Sequence, residues 1–495
     1  MLFGIQSSRP LYKKDLKSLK DSYDNYLNRF RLKKKQTVNI NFGEKTIFLF
    51  QNSKKKNYNY LKNTNYFVFI EGQIFLKSKK INCKDILNHY LKNGEKFYTK
   101  YDGSFFILIF NIEKRLIKVF KNLTNSQSFY YYKKNKNILF GTNLYFFLKN
   151  NMIDKKFNNQ FLTKYTTCNY RNVYGRIFTP ISGVSNSLPH SILSFNSRNI
   201  VNNKNINPRM FLENIKLDIH NTKALTKSFD YQMKTNLKNQ IIKKQETCFL
   251  SSGGFDSAIL LSMIQKKLNI FTMYFDDKNF NEIQNSKILG KLFGNKHTFV
   301  KITPRDFKKN LKSMYKIFDL PMATASQLAF YILYKKLPKN FKKVMTGYGG
   351  DYVFGGSYNS YLFNLADIKF KYKNKKLFKH ELKCWRDNHS TFNNNKNSLI
   401  FKNFERKFIN KKNLGKIKDS NLNLVSPDIF KNKKYINLLN KNKLNITNAG
   451  SYLKSYTLNA FKYESVAPTL DTDATIDASS DVKTISPYLN NNIIN

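Results

Sequence analysis

The sequence is poor in the residues that cross-link small or secreted domains. Its 495 residues include four cysteines and one tryptophan. The cysteines are widely spaced and form no C-x-x-C pair: Cys83, Cys168, Cys248 and Cys384. This spacing excludes a disulfide framework and a zinc-ribbon site, and it predicts reduced thiols.

Long apolar segments are also missing. No run approaches the ~18 consecutive apolar residues that a membrane-spanning helix requires. Residues 1–14 contain no apolar stretch of the kind found in signal peptides. The sequence therefore predicts a soluble, cytoplasmic protein with no membrane partner.

Acidic residues and arginine are scarce, whereas lysine is abundant. The 86 basic residues outnumber the 32 acidic ones, and the formal net charge is +54. Arginine, the side chain that binds phosphates and bases bidentately, supplies few of these charges. The lysines are spread along the chain among Asn, Ile, Phe and Tyr, as in proteins from AT-rich genomes. We therefore predict no specific nucleic-acid partner.

The first part of the chain, residues 1–195, reads as β-rich. Short aromatic and β-branched runs, typical of strands, alternate with turn clusters. They lie at residues 46–50, 66–70, 105–110, 116–120, 129–132 and 138–140. Helical spacing occurs once, at 83–91. Two packed sheets with one or two helices are expected, and the polar residues 196–225 are expected to form a linker.

Residues 226–495 have a different pattern. Apolar strand-length and helix-length segments alternate here, which predicts a doubly wound parallel sheet. The expected strands lie at 248–251, 270–275, 298–302 and 343–346, and the expected helices at 228–244, 257–267, 282–293 and 325–337. The fold class is therefore α/β with two domains.

The most specific motif lies at the end of the strand at 248–251. Ser252, Gly253 and Gly254 precede Asp256 and Ser257 at a strand-to-helix turn. Such a turn presents backbone N–H groups and a helix N-terminus to an anion, and glycines let the backbone approach phosphate closely. The motif predicts a phosphate-binding loop with Asp256 as a ligand of Mg²⁺.

A second glycine-rich turn follows the strand at 343–346. It runs from Gly347 to Gly356 and contains Asp351. Because ligands of open α/β sheets bind at the carboxyl ends of the strands, this turn can lie beside the first. Asp351 would then supply a second carboxylate to the same metal ion.

These two motifs resemble those of glutamine-dependent asparagine synthetases, and the first resembles the pyrophosphate loop of ATP pyrophosphatases. Other segments follow the family's order: residues 272–277, 280–282, 294–297, 319–321 and 485–489. In the N-terminal half, residues 101–106, 129–132 and 140–142 resemble the family's glutaminase domain. The resemblance implies an N-terminal-nucleophile (Ntn) sandwich followed by a synthetase domain of the ATP pyrophosphatase type.

The resemblance also implies a chemistry. The family activates a carboxylate with ATP to form an acyl-adenylate and pyrophosphate, and ammonia then attacks the adenylate. ATP and Mg²⁺ are the cofactors that it implies. It places Leu250, Met273, Thr346 and Gly347 on adenosine, Ser252, Gly253, Gly254 and Ser257 on pyrophosphate, and Asp256 and Asp351 on Mg²⁺.

The glutaminase-like part departs from the family at its reactive residue. The family's nucleophile is a cysteine directly after the initiator Met, but Leu2 stands there, and a leucine cannot form a thioester. Glu71 replaces the asparagine of the oxyanion hole, where a carboxylate would repel an oxyanion. Asp102, which would contact the glutamine amine, is retained, either for that role or as a turn residue. We expect this part to be inactive and the nitrogen to come from elsewhere.

A second departure is Tyr348, where asparagine synthetases carry a glutamate. The related β-lactam and carbapenam synthetases also lack the cysteine and carry a tyrosine there, and they close an adenylated carboxylate onto an amine of the same molecule. Tyr348 could help to deprotonate an amine if a carboxylate orients it. Glu381 is the partner suggested by spacing, although a solvated helix residue is the alternative.

The third departure is at the end of the chain. The family has a helical tail carrying a lysine and an arginine after the segment that matches 485–489, so the synthetase domain is expected to be shortened or completed by a second polypeptide. The leading hypothesis is an amide-forming ligase that uses a small carboxylate and ammonia or an amine. The alternatives are a cyclising or peptide-modifying ligase and a non-catalytic nucleotide-binding homologue.

Overall fold

The structure is a computed structural model of the chain. It describes residues 1–495 except 31, 33–35, 52–58, 73, 77–78, 123, 125–127, 160, 163–164, 166–177, 197–199, 206–221, 242–243, 266, 278–281, 295, 319, 321, 323, 325, 389–396, 407–449, 463–465, 491–492 and 494–495. Cys168 and several motif residues lie outside the described residues, namely those at 280, 281, 295, 319 and 321.

The N-terminal part contains two six-stranded antiparallel sheets. The first sheet has the order β12-β10-β11-β1-β3-β2. Its strands are β1 (Leu2–Ser7), β2 (Thr37–Phe42), β3 (Thr46–Gln51), β10 (Tyr130–Lys134), β11 (Asn137–Gly141) and β12 (Val184–Asn186). The second sheet has the order β14-β13-β9-β8-β5-β4. Its strands are β4 (Tyr60–Lys62), β5 (Tyr66–Gly72), β8 (Phe105–Asn111), β9 (Leu116–Lys121), β13 (Ser191–Asn196) and β14 (Ile200–Asn205). A short ribbon, β6 (Phe75–Leu76) and β7 (Lys79–Lys80), lies beside them.

The two sheets pack face to face and are covered by helices on their outer faces. Phe48 and Phe50 of β3 point into the core between the sheets, whereas Ile47 and Leu49 pack on the outer helices. Because both faces are buried, the strand reads as a continuous apolar run instead of an alternating one. Helices α1 (Lys13–Arg29) and α3 (Leu144–Lys149) cover the first sheet, and α2 (Cys83–Asn93) covers the second. The result is a helix–sheet–sheet–helix sandwich.

The C-terminal part is built on a five-stranded parallel sheet with the order β17-β16-β15-β18-β19. The strands are β15 (Thr247–Leu250), β16 (Asn269–Tyr274), β17 (His297–Lys301), β18 (Lys343–Thr346) and β19 (Lys483–Ile485). The helices that precede or connect the first four of these strands are α4 (Thr222–Gln240), α5 (Phe255–Met263), α6 (Ile283–Phe293), α7 (Pro304–Ile317) and α8 (Ser326–Lys336).

Helices cover both faces of this sheet, as the alternation of segments predicts. Cys248 and Leu250 of β15 contact the cluster that contains α7 and α8, whereas Phe249 contacts the cluster that contains α4, α5 and α6. The predicted two-domain α/β class with a doubly wound sheet is therefore confirmed for the described residues.

Further helices lie between β18 and β19 in the sequence. They are α9 (Gly350–Phe354), α10 (Tyr358–Ala366), α11 (Lys375–Asn388), α12 (Asn397–Phe404), α13 (Tyr452–Lys462) and α14 (Val466–Ser480). A π-helical turn, Asp367–Lys371, extends α10. No helix in the described ranges has the length and apolarity needed to cross a bilayer.

Several elements of the N-terminal part were not predicted, and α1 and β14 show why. Helix α1 was not expected, because its buried stripe relies on Tyr23 and Tyr26 as well as leucines, and tyrosine is a weak sign of an apolar helix face. Strand β14 lies within 196–225, the range predicted as a linker. Its sequence is polar, and backbone pairing with β13 at the sheet edge holds it in place.

Candidate active site

The two glycine-rich turns meet where the strand order of the parallel sheet reverses. From β15 the chain proceeds to β16 and β17 on one side, and then returns to β18 on the other side. Leu250 and Thr346, the last residues of β15 and β18, are paired neighbours. Open α/β sheets bind their ligands in the crevice at such a switch point.

The first turn lies close to the start of α6. Gly253 has a φ of +93°, and a side chain there would lie 2.8 Å from the Glu282 carbonyl oxygen and 2.9 Å from the Ser286 nitrogen. Only glycine combines this backbone conformation with this approach. Gly254 is the N-cap of α5 and supplies no side-chain hydrogen bond. The first N–H groups of α5 are therefore left for an anion.

The second turn packs directly against Asp256. A side chain at Gly350 would lie 2.4 Å from the Asp256 carboxylate, and one at Gly347 would lie 3.1 Å from the Ser257 nitrogen. Both glycines thus let the β18 turn approach the β15 turn. The glycines of the second motif serve contact between the two turns as well as any approach to a ligand.

Two carboxylates lie together in this crevice. Burial raises the pKa of Asp256, the negative charge of Asp351 raises it further, and a hydrogen bond from the Asp351 backbone opposes both effects. A cation between the two groups would remove this repulsion. Within the described residues no cluster of three or more His, Cys, Asp or Glu side chains is preorganised around a metal position. Two carboxylates completed by substrate phosphates are a usual Mg²⁺ set, so Asp256 and Asp351 fit that ion.

A buried hydrogen-bond network supports the first turn from below. The Thr272 hydroxyl donates to the Ser251 carbonyl oxygen at 2.8 Å, and it lies 2.6 Å from Ser286 Oγ and 2.9 Å from His297 Nε2. Because a hydroxyl has one proton, Thr272 accepts from the other two groups. Burial lowers the pKa of His297, which favours the neutral ring. The network joins β16, β17 and α6 to the loop.

The last described segment of the chain braces the same loop. The Tyr488 hydroxyl donates to the Asp256 carbonyl oxygen at 3.0 Å, and its ring is fully buried. Leu489 packs against Gly349, and Ser486 Oγ lies 3.3 Å from Thr346 Oγ1. Residues after β19 therefore complete the crevice that β15 and β18 begin.

Two family models match the chain over most of its length. Residues 229–467 match the model described as asparagine synthase, and residues 52–204 match a glutamine amidotransferase domain. The chain belongs to the asparagine synthetase family. The two matches follow the observed parts, because the first contains β15–β18 and the second contains most of the sandwich.

Similarity to individual proteins of the family is confined to short regions. The chain is 28% identical over 113 residues to asparagine synthetase [glutamine-hydrolyzing] 1 of Bacillus subtilis, which is 22% of this chain and 18% of that protein. A relative from Methanocaldococcus jannaschii is 30% identical over 110 residues, 21% of each chain. The alignments thus span about a fifth of these curated relatives. A solved glutamine phosphoribosylpyrophosphate amidotransferase from B. subtilis covers 61% of this chain and 81% of its own at 8% identity, but its TM-score of 0.24 is too low to carry an argument.

The structure brings together the residues that the family resemblance assigns to ATP. Leu250, Met273 and Thr346 lie at or near the ends of three adjacent strands, Ser252 lies in the turn beside them, and Ser257 lies in the first turn of α5. Their roles toward adenosine and pyrophosphate stay predictions.

Tyr348 and Glu381 contact different parts of the structure. Tyr348 packs with Tyr352 at a ring distance of 6.2 Å, against the cluster formed by α13 and α14. The Glu381 carboxylate accepts the Tyr361 hydroxyl at 3.0 Å. This contact accounts for Glu381 as a structural residue of α11, and a Tyr348–Glu381 catalytic pair stays a prediction.

The first strand of the glutaminase-like sandwich carries no thiol. Leu2 is buried in β1, with its nitrogen 3.1 Å from Thr142 Oγ1. A Glu71 carboxylate oxygen lies 3.3 Å from the Met1 nitrogen. Asp102 is buried and pairs through its backbone with Phe75, so a role in chain geometry is visible for it.

Two buried cysteines, Cys83 and Cys248, are not suited to replace the missing thiol. Cys83 and Cys248 are buried in separate cores, and burial raises the pKa of each to about 12. A thiol with such a pKa is almost entirely protonated at neutral pH and is a poor nucleophile.

Sequence reasoning missed several residues of the crevice. Gly350 and Tyr488 lie within segments that resemble the family, but the sequence predicts no contact for either of them. The sequence does not predict the Thr272 network. The only available signal was position, since Thr272 and His297 lie in segments that resemble the family. Side-chain contacts between distant segments leave no periodic pattern in a sequence.

Proposed function

We propose that the protein is an ATP-dependent amide-forming ligase that adenylates a carboxylate. The observation that carries this proposal is the pair of turns at the β15–β18 switch point, with uncapped helix N–H groups beside Asp256 and Asp351. Such a site suits two adjacent phosphates that leave together. Mg²⁺ held by the two carboxylates would offset charge on those phosphates.

The proposed reaction has two steps. A carboxylate oxygen attacks the α-phosphorus of ATP, the bond to the β-phosphate breaks, and pyrophosphate leaves. An amine nitrogen then attacks the acyl carbon, the bond to AMP breaks, and the amine loses a proton. The chain supports the first step with the N–H groups of α5 and with loop positions fixed by the Thr272 network and Tyr488.

We further propose that the sandwich does not hydrolyse glutamine. Leu2 lacks a nucleophilic atom, Glu71 brings negative charge to the expected oxyanion position, and Cys83 and Cys248 are buried. The nitrogen therefore comes from ammonia or an amine that is supplied to the protein.

The test is exchange of labelled pyrophosphate into ATP in the presence of Mg²⁺ and a panel of small carboxylates, with aspartate first. Carboxylate-dependent exchange supports adenylation. ATP consumption that yields ADP and phosphate would overturn it. Binding of ATP without exchange across the panel would instead support the non-catalytic alternative, and a product with no added amine incorporated would support the cyclising one.

A further inference from the structure

A histidine and a cysteine lie one helical turn apart on α11. The segment reads His380-Glu381-Leu382-Lys383-Cys384. In an α-helix, residues four positions apart are neighbours on one face. The pattern H-E-x-x-H places two zinc ligands on a helix in this way. Here a cysteine takes the second ligand position, and cysteine and histidine are both common zinc ligands.

The two side chains are in contact at a distance that suits a shared metal ion. Cys384 Sγ lies 3.5 Å from His380 Nε2. Zn–S and Zn–N bonds of ~2.3 Å and ~2.0 Å at a tetrahedral angle hold their ligand atoms ~3.5 Å apart. In the tautomer with the proton on Nδ1, the thiol donates to the Nε2 lone pair. A metal ion that replaces the thiol proton therefore reaches both atoms without any change in the helix.

The pair is accessible, and the helix that carries it is held in place. His380 is exposed, and Cys384 is a free, partly exposed cysteine. The next residue, Trp385, is buried and packs on the Tyr361 ring of α10 at a centroid distance of 5.3 Å. The Tyr361 hydroxyl also donates to the Glu381 carboxylate at 3.0 Å. These contacts fix the rotation of α11, so both ligands stay at the edge of its buried face.

The pair differs from the candidate Mg²⁺ site in the metal that it selects. Thiolate and imidazole ligands favour zinc, whereas carboxylates and phosphates favour magnesium. Lys379 and Lys383 flank the pair on α11 and are exposed. Their charges disfavour a cation that is held by charge alone. A metal ion at this place is held by its bonds to sulfur and nitrogen.

We propose that His380 and Cys384 bind one zinc ion on the surface of α11. The ion is bound by Nε2 of the neutral imidazole and by Sγ of the thiolate, and the thiol proton passes to solvent as the Zn–S bond forms. Since no group of three suitable ligands occurs among the residues that the structure describes, water completes the coordination. The proposal is independent of the ligase reaction proposed above.

The first test uses Co²⁺ as an optical probe of the zinc site. A thiolate bound to Co²⁺ gives a charge-transfer band in the near ultraviolet, which oxygen ligands do not give. Protein freed of metal by a chelator is titrated with CoCl₂ in excess MgCl₂, which occupies sites built from oxygen ligands. We expect a band in the wild type that ZnCl₂ abolishes.

Two cysteine variants locate the thiolate that gives the band. Cys384→Ser should lack the band. Cys168→Ser, the matched control at another cysteine, should keep it. A wild type without the band, or a band that persists in Cys384→Ser, would overturn the proposal.

The second test keeps the thiol and examines the histidine. Alkylation of Cys384 by iodoacetamide is followed by mass spectrometry at increasing ZnCl₂. Zinc should protect Cys384 in the wild type and, equally, in Lys375→Gln, a control at the exposed start of α11. His380→Gln should need about tenfold or more zinc for the same protection.

This second test decides the proposal even if Cys384→Ser does not fold, because Cys384 stays in place. Equal zinc dependence in His380→Gln and the wild type would show an adventitious ion on a single thiol and would refute the paired site. Absence of protection in the wild type would refute it as well.

Discussion

At the scale of single residues, the candidate active site depends on glycines, which have no side chain, as much as on charged side chains. Gly350 has no side chain, and this lets the β18 turn lie against the Asp256 carboxylate. Asp256 is in turn half-buried and close to Asp351. The two carboxylates repel each other, and a bound cation would relieve this repulsion.

The Gly350→Ala variant should lose nucleotide binding while it remains folded. The added Cβ would lie 2.4 Å from the Asp256 carboxylate, so the carboxylate must move from its position beside Asp351. ATP affinity measured by calorimetry should fall about tenfold or more, a change of ~1.4 kcal/mol. Gly43→Ala is the control, since its side chain would meet no atom within 4 Å. Its positive φ should cost only ~1 kcal/mol of folding stability. Equal ATP affinity in the two variants would count against the contact between the turns.

At the scale of elements, Tyr488 joins the end of the described chain to the phosphate loop. Tyr488→Phe removes the hydrogen bond to the Asp256 carbonyl oxygen and keeps the buried ring. We expect a loss of ~1 kcal/mol in the free energy of unfolding, measured with urea. Tyr372→Phe, at an exposed ring, should leave this free energy nearly unchanged. A Tyr488→Phe protein as stable as the wild type would show that the brace contributes nothing.

The network under the loop gives the fold a pH dependence. Burial lowers the pKa of His297 in the folded protein, so below its ordinary value of 6.5 the unfolded chain binds more protons than the folded one. This contribution to stability is present above about pH 6.5 and is lost as the pH falls through that value toward the folded pKa. His297→Gln should therefore show a smaller loss of unfolding free energy than the wild type between about pH 7.5 and about pH 5.5.

The control for this titration is His380→Gln, at an exposed position of α11. It should follow the wild type across the same pH range. An identical pH dependence for wild type and His297→Gln would mean that His297 is equally protonated in the folded and the unfolded chain. That result would contradict the lowered pKa of His297 in the folded protein.

Elements with strong periodicity could be predicted from the sequence. Strand β18 begins and ends where the sequence indicates, and β15, β16, β17, α5, α6 and α8 differ from the prediction by at most four residues at either end. Helix α7 was not predicted. The polar edge strand β14 was missed because its place depends on pairing with β13, not on side-chain burial. Helix α1 was missed because tyrosines form much of its buried face.

The site was predictable in its position but not in its contacts. The motif at 251–257 and the switch-point rule bring the two turns together from sequence alone. The approach of Gly350 to Asp256 and the hydrogen bond from Tyr488 to Asp256 each join residues more than 90 positions apart. Such contacts depend on the packing of whole elements, which local patterns do not encode.

At the scale of the whole molecule, a sandwich of amidotransferase type is attached to a synthetase-type sheet, yet its first strand carries Leu2. We predict that Leu2→Cys alone restores no glutamine hydrolysis, because Glu71 still brings negative charge to the oxyanion position. The combined variant Leu2→Cys with Glu71→Asn also removes this charge. Glutamate release measures glutamine hydrolysis in both variants. Hydrolysis by the unaltered chain above background would contradict the loss of this activity.

We propose above all that the β15–β18 crevice binds the phosphates of ATP with Asp256 as a ligand of Mg²⁺. The direct measurement is calorimetric titration of ATP in the presence of Mg²⁺ into the wild type, Asp256→Asn and Asp154→Asn, the last at an exposed carboxylate of the sandwich. We predict one site in the wild type and in Asp154→Asn, and an affinity at least about tenfold lower in Asp256→Asn. Equal affinity in all three proteins, or no binding to the wild type, would contradict the account.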